Sequence, residues 1–329
     1  SQPDSAFYFA QLQYNFAEST NNKKWMAAAL ITQGVSFWIR SDSNIQKPCL
    51  GGSLKISEEI GDKKGIARSL NNIGIIYQKQ GDYGKAIDYY NRSLKLNEEI
   101  GDKKGIARSL NNIGLIYSDQ GDYAKAIDNY TRSLKIKEEL GDKRGIAASL
   151  NNIGIIYQDQ GDYAKAIEYH TRSLKIREEL GDKNGIALSL GNIGNIYSDQ
   201  GDYAKALDKS TKALSIAQEI GNVENINYAS EILWKIHKKL GNHKQSLAMH
   251  ELYIEMRDSM LSLENKEAAI KLEYKHQYEK EQVIADAKHQ EQMALSAERE
   301  KRQELIAWSA GGGLVMVLAF AFFISYFLV

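Results

Sequence analysis

A segment of forty residues occurs four times in succession between Gly61 and Ile220. It reads GDKKGIARSLNNIGIIYQKQGDYGKAIDYYNRSLKLNEEI from Gly61 and returns with few changes at Gly101, Gly141 and Gly181. A fixed period of this length is typical of repeat arrays, in which each unit buries its apolar face against its neighbours. The sequence therefore predicts a stack of repeats and not a single globular core.

Each unit is predicted to be a helical hairpin, because apolar and small residues recur at spacings of three and four on both sides of Gly81-Asp82. Glycine accepts the left-handed conformation at the end of one helix, and aspartate caps the start of the next. The small residues Gly74 and Ala86 should let the two helices approach closely, with Tyr77 and Tyr90 filling the space around them.

These residues resemble the tetratricopeptide-repeat motif. The matching positions of the first unit are Ile73-Gly74, Tyr77, Gly81, Asp82-Tyr83, Ala86 and Tyr90. The chain departs from the motif in having Ser93 and Ser133 at a position usually held by alanine, and in lacking the proline that ends the hairpin. Forty-residue units separated by G-D-K/R look like those of G-protein signalling modulator scaffolds and of many bacterial sensor proteins. The resemblance implies an all-α solenoid.

The composition excludes several classes of function. Forty-two basic residues balance forty-two acidic ones, which argues against nucleic acid as the main partner. A single cysteine, Cys49, excludes an internal disulfide framework. The chain has no nucleotide-binding loop, nucleophile–base pair or metal cluster at motif spacing, so we predict no enzymatic activity and no cofactor.

Residues 1–60 are predicted to be degenerate N-terminal repeats, with Asp4–Thr20 as the second helix of an incomplete hairpin. The stretch 41–52 is unusual, because it has Pro48 and two glycines where the sister units have an amphipathic helix. Two explanations are open. The first is that the codons of residues 44–50 are frameshifted, because another reading frame can encode the expected repeat motif. The second is that this segment is an irregular loop.

The C-terminal third is predicted to consist of three different segments. Residues 221–260 form a degenerate capping repeat, in which His237, His243 and His250 occupy tyrosine positions and favour packing over metal ligation. Residues 261–304 form a long charged helix, either a weak parallel coiled coil that makes a homodimer or a solvated single helix. Residues 305–329 contain no charged residue, which predicts one transmembrane helix.

Rows of asparagine are the candidate ligand-binding residues. First helices line the inner wall of a stack of hairpins, and an amide group both donates and accepts hydrogen bonds, so such a row suits an extended peptide backbone. The resemblance implies this role for the second asparagine of each Leu-Asn-Asn. The alternative is that the amides bond to the neighbouring hairpin. The predicted residues are Asn72, Asn112, Asn152 and Asn192, the row Asn71, Asn111 and Asn151, and Arg68 and Arg108 one turn earlier.

The order of the parts resembles a family of bacterial tetratricopeptide receptors whose other half is an adenylate or guanylate cyclase or a histidine kinase. The residues that carry the resemblance are KEAAIKLEY from Lys266 and HQYEKE from His276. It implies a sensory, peptide- or protein-binding domain that is anchored by a single membrane span, with the repeats outside the cytoplasm and a cyclase favoured as the output domain. The alternative is a tail-anchored adaptor with cytoplasmic repeats that recruits a partner protein to a membrane.

Overall fold

The computed structural model describes residues 3–39 and 43–263, together with residues 290, 295, 298, 299 and 301. Throughout 3–263 the described chain consists of helices joined by short turns, which confirms the predicted all-α solenoid of hairpins. Twelve helices have seventeen residues each, and a further helix, α13, occupies 243–263. The twelve are α1 (Pro3–Ser19), α2 (Lys23–Ile39), α3 (Ser43–Glu59), α4 (Lys63–Lys79), α5 (Tyr83–Glu99), α6 (Lys103–Asp119), α7 (Tyr123–Glu139), α8 (Lys143–Asp159), α9 (Tyr163–Glu179), α10 (Lys183–Asp199), α11 (Tyr203–Glu219) and α12 (Val223–Lys239).

Glycine and aspartate set the helix boundaries as predicted. The glycine of each Gly-Asp turn has a φ between 64° and 79°, the left-handed region that costs glycine little. The aspartate that follows accepts a hydrogen bond from a backbone N–H of the next helix, as Asp62 does from Gly65. Asn21 stands at the equivalent turn before α2 and has a φ of 51°. The period therefore extends to the degenerate N-terminal unit.

Close contact between the two helices of a hairpin depends on glycine. A Cβ atom built on Gly74 would lie 2.6 Å from the ring of Tyr90, so any larger residue would displace that ring. Tyr90 and Ala86 are fully buried, and the Tyr90 hydroxyl donates to Oε1 of Gln78 at 2.8 Å. The close approach predicted for Gly74 and Ala86 is confirmed.

The serine that replaces the usual alanine joins neighbouring hairpins. Ser93 on α5 is fully buried and donates to the carbonyl oxygen of Ala67 on α4 at 2.8 Å. Its hydroxyl also accepts a hydrogen bond from Ser109 on α6, at 3.3 Å. One small polar side chain thus links three helices, which accounts for this departure from the motif.

First helices of neighbouring hairpins contact one another, as in the pairs α2–α4, α4–α6 and α10–α12. Each also packs on the second helix of its own hairpin and of the preceding one. The even-numbered helices therefore line the inner side of the solenoid, and any surface that spans several repeats is built from them.

The N-terminal unit contains a helix where an irregular loop was one expectation. Helix α3 runs continuously through Pro48, so the loop interpretation is wrong. Leu50 lies two residues later, is 2% exposed and packs with Ile31 and Ile76. Proline removes one backbone hydrogen bond from the helix, and burial of the apolar Leu50 side chain offsets the free energy lost with that bond. The frameshift remains a hypothesis about the gene.

The prediction of a transmembrane helix is wrong for the fold that the structure describes. None of the helices that the structure describes has both the length and the apolar composition needed to cross a lipid bilayer. Seventeen residues of α-helix extend about 26 Å, less than the roughly 30 Å of a hydrocarbon core. Residues 305–329, on which the prediction rested, lie outside the described residues. The predicted single-pass membrane localisation is corrected with it.

At the C-terminal end, α12 and α13 form the last hairpin. The His250 ring lies 4.2 Å from the ring of Trp234, the residue that replaces the packing glycine of the other units. This histidine therefore packs against an aromatic ring, as the sequence favoured. Apart from its first residues and the isolated ones named above, the predicted charged helix at 261–304 lies outside the described residues.

Candidate peptide-binding groove

Three cavities lie along the inner helices of the N-terminal half of the solenoid. The α2–α4 cavity has a volume of 120 Å³, the α4–α6 cavity 260 Å³ and the α6–α8 cavity 630 Å³. Lys64 and Arg68 line both the first and the second cavity, and Lys104 and Arg108 line both the second and the third. Because neighbouring cavities share these side chains, the three lie side by side along the inner helices, and we call this row of cavities the inner groove.

The inner groove brings together some of the predicted residues. Arg68, Asn71 and Arg108 line the α4–α6 cavity. Arg108, Asn111 and Asn152 line the α6–α8 cavity. Both arginines are exposed, and Asn111 and Asn152 are half-buried, so these groups are available to a ligand.

The other predicted asparagines line none of the three cavities, and several of them connect hairpins instead. Nδ2 of Asn112 donates to Oδ1 of Asn71 at 3.1 Å, and Nδ2 of Asn192 donates to Oδ1 of Asn151 at 3.0 Å. Asn192 also accepts a hydrogen bond from the Tyr228 hydroxyl at 3.0 Å and is 6% exposed. Asn72 is half-buried. Asn112, Asn151 and Asn192 thus make hydrogen bonds between repeats, and Asn71 does so while also lining the groove.

Lys137 is a groove residue that the sequence analysis missed. Its ammonium group lies in the α6–α8 cavity and donates to Ser149 Oγ at 2.7 Å and to Asn111 Oδ1 at 3.4 Å. Burial lowers the pKa of Lys137. The sister repeats have Asn97 and Arg177 at the same position, and both are buried. This change of residue at a buried position was a signal in the sequence.

The comparisons with known proteins agree with this architecture. The family model "Tetratricopeptide repeat" matches residues 49–99, 65–139 and 145–219, which together cover half of the chain. The chain belongs to the tetratricopeptide-repeat family. Its repeats form a scaffold for binding other proteins. No curated protein matches the chain.

Solved structures of the same fold include proteins of low sequence identity. BtubC from P. vanneervenii is 20% identical, with a TM-score of 0.60 over 68% of this chain and 93% of that chain. A Signal Transduction ATPase with Numerous Domains that has a tetratricopeptide repeat sensor, from Pyrococcus horikoshii, is 15% identical, with a TM-score of 0.62 over 76% and 39%. A Rap protein complexed with Competence and Sporulation Factor is 16% identical, with a TM-score of 0.56 over 79% and 76%. At these identities the similarity shows the fold alone.

Proposed function

We propose that the chain binds an extended polypeptide along its inner groove. The observation that carries the proposal is the row of three adjacent cavities, in which each shares side chains with the next. A ligand that follows the groove would pass over helices α2, α4, α6 and α8 in turn. A Rap protein of similar fold has been solved in complex with Competence and Sporulation Factor, which supports a ligand of this kind.

The groove has the chemistry that an extended backbone requires. A peptide that is not part of a sheet presents free N–H and C=O groups, and amide side chains both donate to and accept from them. Asn111 and Asn152 are half-buried in the groove and can make such hydrogen bonds. At about 0.5–1.5 kcal/mol each, a few such bonds supply moderate affinity, and side-chain contacts must provide the specificity.

A signalling role for the bound state stays a prediction. It requires two conformations of the repeats with different affinity for the ligand. The residues that resemble cyclase- and kinase-linked receptors begin at Lys266, and they lie outside the described residues, as does most of the helix predicted to form a homodimer. The proposal therefore concerns the binding surface and not the output domain.

The proposal can be tested with peptides selected from a random phage-displayed library against the purified chain. The selected peptide is then measured by fluorescence anisotropy against the double variant Asn111→Ala/Asn152→Ala. Loss of two hydrogen bonds of about 1 kcal/mol each should weaken binding by roughly tenfold or more. Asn91→Ala, an exposed asparagine on the second helix α5, is the matched control and should bind like wild type. Equal affinity of all three proteins would refute a ligand in the inner groove.

A further inference from the structure

Helix α13 carries an exposed apolar face at the C-terminal end of the solenoid. Leu247 is 58% exposed and Leu261 is 49% exposed, and Ile254, which lies midway between them, is half-buried. Residues seven apart lie on one side of a helix, so the three form a stripe, which we call the α13 stripe. The terminal unit of a repeat array usually has a polar outer face, which keeps the array soluble. The α13 stripe departs from that pattern.

In the preceding units the next first helix covers the same face. The residues that correspond to Leu247 and Ile254 pack in apolar clusters to which α6, α8 or α12 contributes. They are Ile87 and Leu94 on α5, Ile127 and Leu134 on α7, and Leu207 and Leu214 on α11. In the last unit, Leu261-Ser262 replaces the Gly-Asp turn, and α13 continues as a helix to residue 263. The chain therefore does not turn back at this point, and the α13 stripe keeps a surface suited to a helix.

The α13 stripe is separate from the contact that α13 makes within its own hairpin. Met249, Leu252 and Met256 pack against the cluster that contains Ile226 and Leu233 of α12. At about 100° per residue, Met256 lies roughly 200° around the helix from Ile254. The stripe thus faces away from the hairpin, and its residues are available to a second helix.

The side chains along the α13 stripe are arranged symmetrically about Ile254. Leu247 and Leu261 lie seven residues on either side of it, and Glu251 and Arg257 lie three residues on either side. In an antiparallel pair of α13 helices with a two-fold axis at Ile254, Leu247 of each copy faces Leu261 of the other. Glu251 likewise faces Arg257, twice. In a parallel pair in register, Arg257 would instead face Arg257, and like charges repel. Charge complementarity therefore favours the antiparallel pair.

We propose that α13 is the interface of a symmetric homodimer, in which the α13 stripes of two copies pack antiparallel about Ile254 and Glu251 pairs with Arg257 of the second copy. Arg257 donates to Asp258 of its own helix from Nε and Nη2, at 3.0 and 2.8 Å. A guanidinium group has five N–H donors, so it can bind a second carboxylate as well. One pair of helices buries less area than a standard interface, so the dimer should be weak and should depend on protein concentration.

This dimer is distinct from the other associations considered above. It is antiparallel and is centred on residue 254, whereas the coiled coil predicted from the sequence at 261–304 is parallel. It also does not depend on the proposed peptide binding, because the inner groove is formed by α2, α4, α6 and α8.

Disulfide cross-linking of the full chain tests the direction of the helix pair. Cys49→Ser removes the single native thiol, and one cysteine is then introduced in each variant. Ile254→Cys should form a covalent dimer under mild oxidation, because a disulfide needs Cβ atoms about 3.5–4.5 Å apart. Leu247→Cys alone and Leu261→Cys alone should not, since fourteen residues correspond to about 21 Å along a helix. An equal mixture of these two variants should form the covalent dimer. Glu255→Cys, at an exposed position about 100° around the helix from Ile254, is the matched control and should not cross-link.

Charge exchange tests the contact beside the α13 stripe. Glu251→Arg and Arg257→Glu each replace two attractive pairs with two pairs of like charge. Each should therefore raise the dissociation constant of the dimer about tenfold at low ionic strength, as measured by sedimentation equilibrium. The double variant Glu251→Arg/Arg257→Glu restores opposite charges and should associate like wild type. Glu255→Arg is the matched control and should leave association unchanged. All four variants should keep the helix content of wild type in circular dichroism, because the substituted side chains are exposed.

The outcomes separate this inference from the proposed function. Failure of Ile254→Cys to cross-link would overturn the inference, because another part of the chain or no helix at all would then lie on the stripe. Cross-linking of Leu247→Cys with itself would show a parallel pair, and equally efficient cross-linking of Glu255→Cys would show random collisions, so either would also overturn it. A double charge variant that does not recover would refute the antiparallel register. A peptide selected for the inner groove should bind all these variants like wild type, so a negative result here leaves the proposed function standing.

Discussion

Replacement of His170 by tyrosine should remove an acid-sensitive contribution to the stability of the solenoid. His170 on α9 stands where α5 and α7 have the buried Tyr90 and Tyr130. Its ring is fully buried, and neither ring nitrogen has a hydrogen-bond partner. Burial, together with the smaller effect of the nearby Arg177 charge, lowers the pKa of His170 from 6.5 to about 4. The folded protein thus holds this imidazole in its neutral form.

The pH dependence follows from the difference between the two pKa values. Because the pKa of His170 is lower in the folded state, the unfolded chain binds more protons between pH 6.5 and pH 4 and stability falls as the pH falls through that window. The loss is small at pH 7, reaches about 2 kcal/mol at pH 5 and approaches about 3 kcal/mol near pH 4. Tyrosine at this position cannot titrate in the window, and its hydroxyl can reach Gln158, the counterpart of the Gln78 that accepts from Tyr90.

The assay is urea unfolding followed by circular dichroism at pH 7 and at pH 5. The wild-type protein should lose about 2 kcal/mol more than His170→Tyr between the two pH values, since the carboxylates are common to both proteins. The reciprocal variant Tyr90→His should acquire a second acid-sensitive group. Equal losses for wild type and His170→Tyr would refute the assignment of a buried neutral imidazole.

Further predictions concern the repeat junctions and turns. Gly114→Ala should destabilise the protein by about 1–3 kcal/mol, because the new Cβ would lie 2.9 Å from the Tyr130 ring. Gly84→Ala is its matched control: the new Cβ would lie 4.0 Å from Asp82 Oδ1, an ordinary contact, and thermal melting should show a gain of about 0.5–1 kcal/mol. Ser133→Ala should cost about 1 kcal/mol in urea unfolding, because its buried hydroxyl donates to a carbonyl of α6 at 2.8 Å. Asn21→Gly should raise the melting temperature, since Asn21 has a φ of 51°. An unchanged Gly114→Ala or a destabilised Asn21→Gly would contradict the packing and turn geometry described.

The hairpins could be predicted from the sequence, because local features determine them. Each boundary depends on a glycine in the left-handed region and an aspartate that caps the next helix, and both act within a few residues. The contact of Gly74 with Tyr90 could also be predicted, because the small and large residues recur in register in every unit. Helix α3 was harder, since Pro48 opposes a helix locally and the burial of Leu50 among distant residues stabilises it.

The orientation of the asparagines could not be read from the sequence. Asn71 and Asn72 are neighbours on a helix and point about 100° apart, so the twist between successive repeats decides which one faces the groove. In the structure Asn71 lines the α4–α6 cavity while Asn112 bonds to it from the next repeat. The transmembrane prediction depended only on the lack of charged residues at 305–329. This stretch lies outside the repeats, so the glycine, aspartate and tyrosine positions that predict the hairpins say nothing about it.

The serine hydrogen bonds have a consequence for how such a chain can change its length. Ser93, Ser133 and Ser173 each donate to the first helix of their own hairpin at 2.8 or 2.9 Å, through the same pair of atom types. This bond therefore holds the two helices together in the same way in three successive units, and it lies within each unit. Duplication or deletion of one forty-residue block in the gene would leave the bond intact in every unit that remains and change the number of hairpins by one, so natural copy-number variants should differ in the length of ligand that they accommodate.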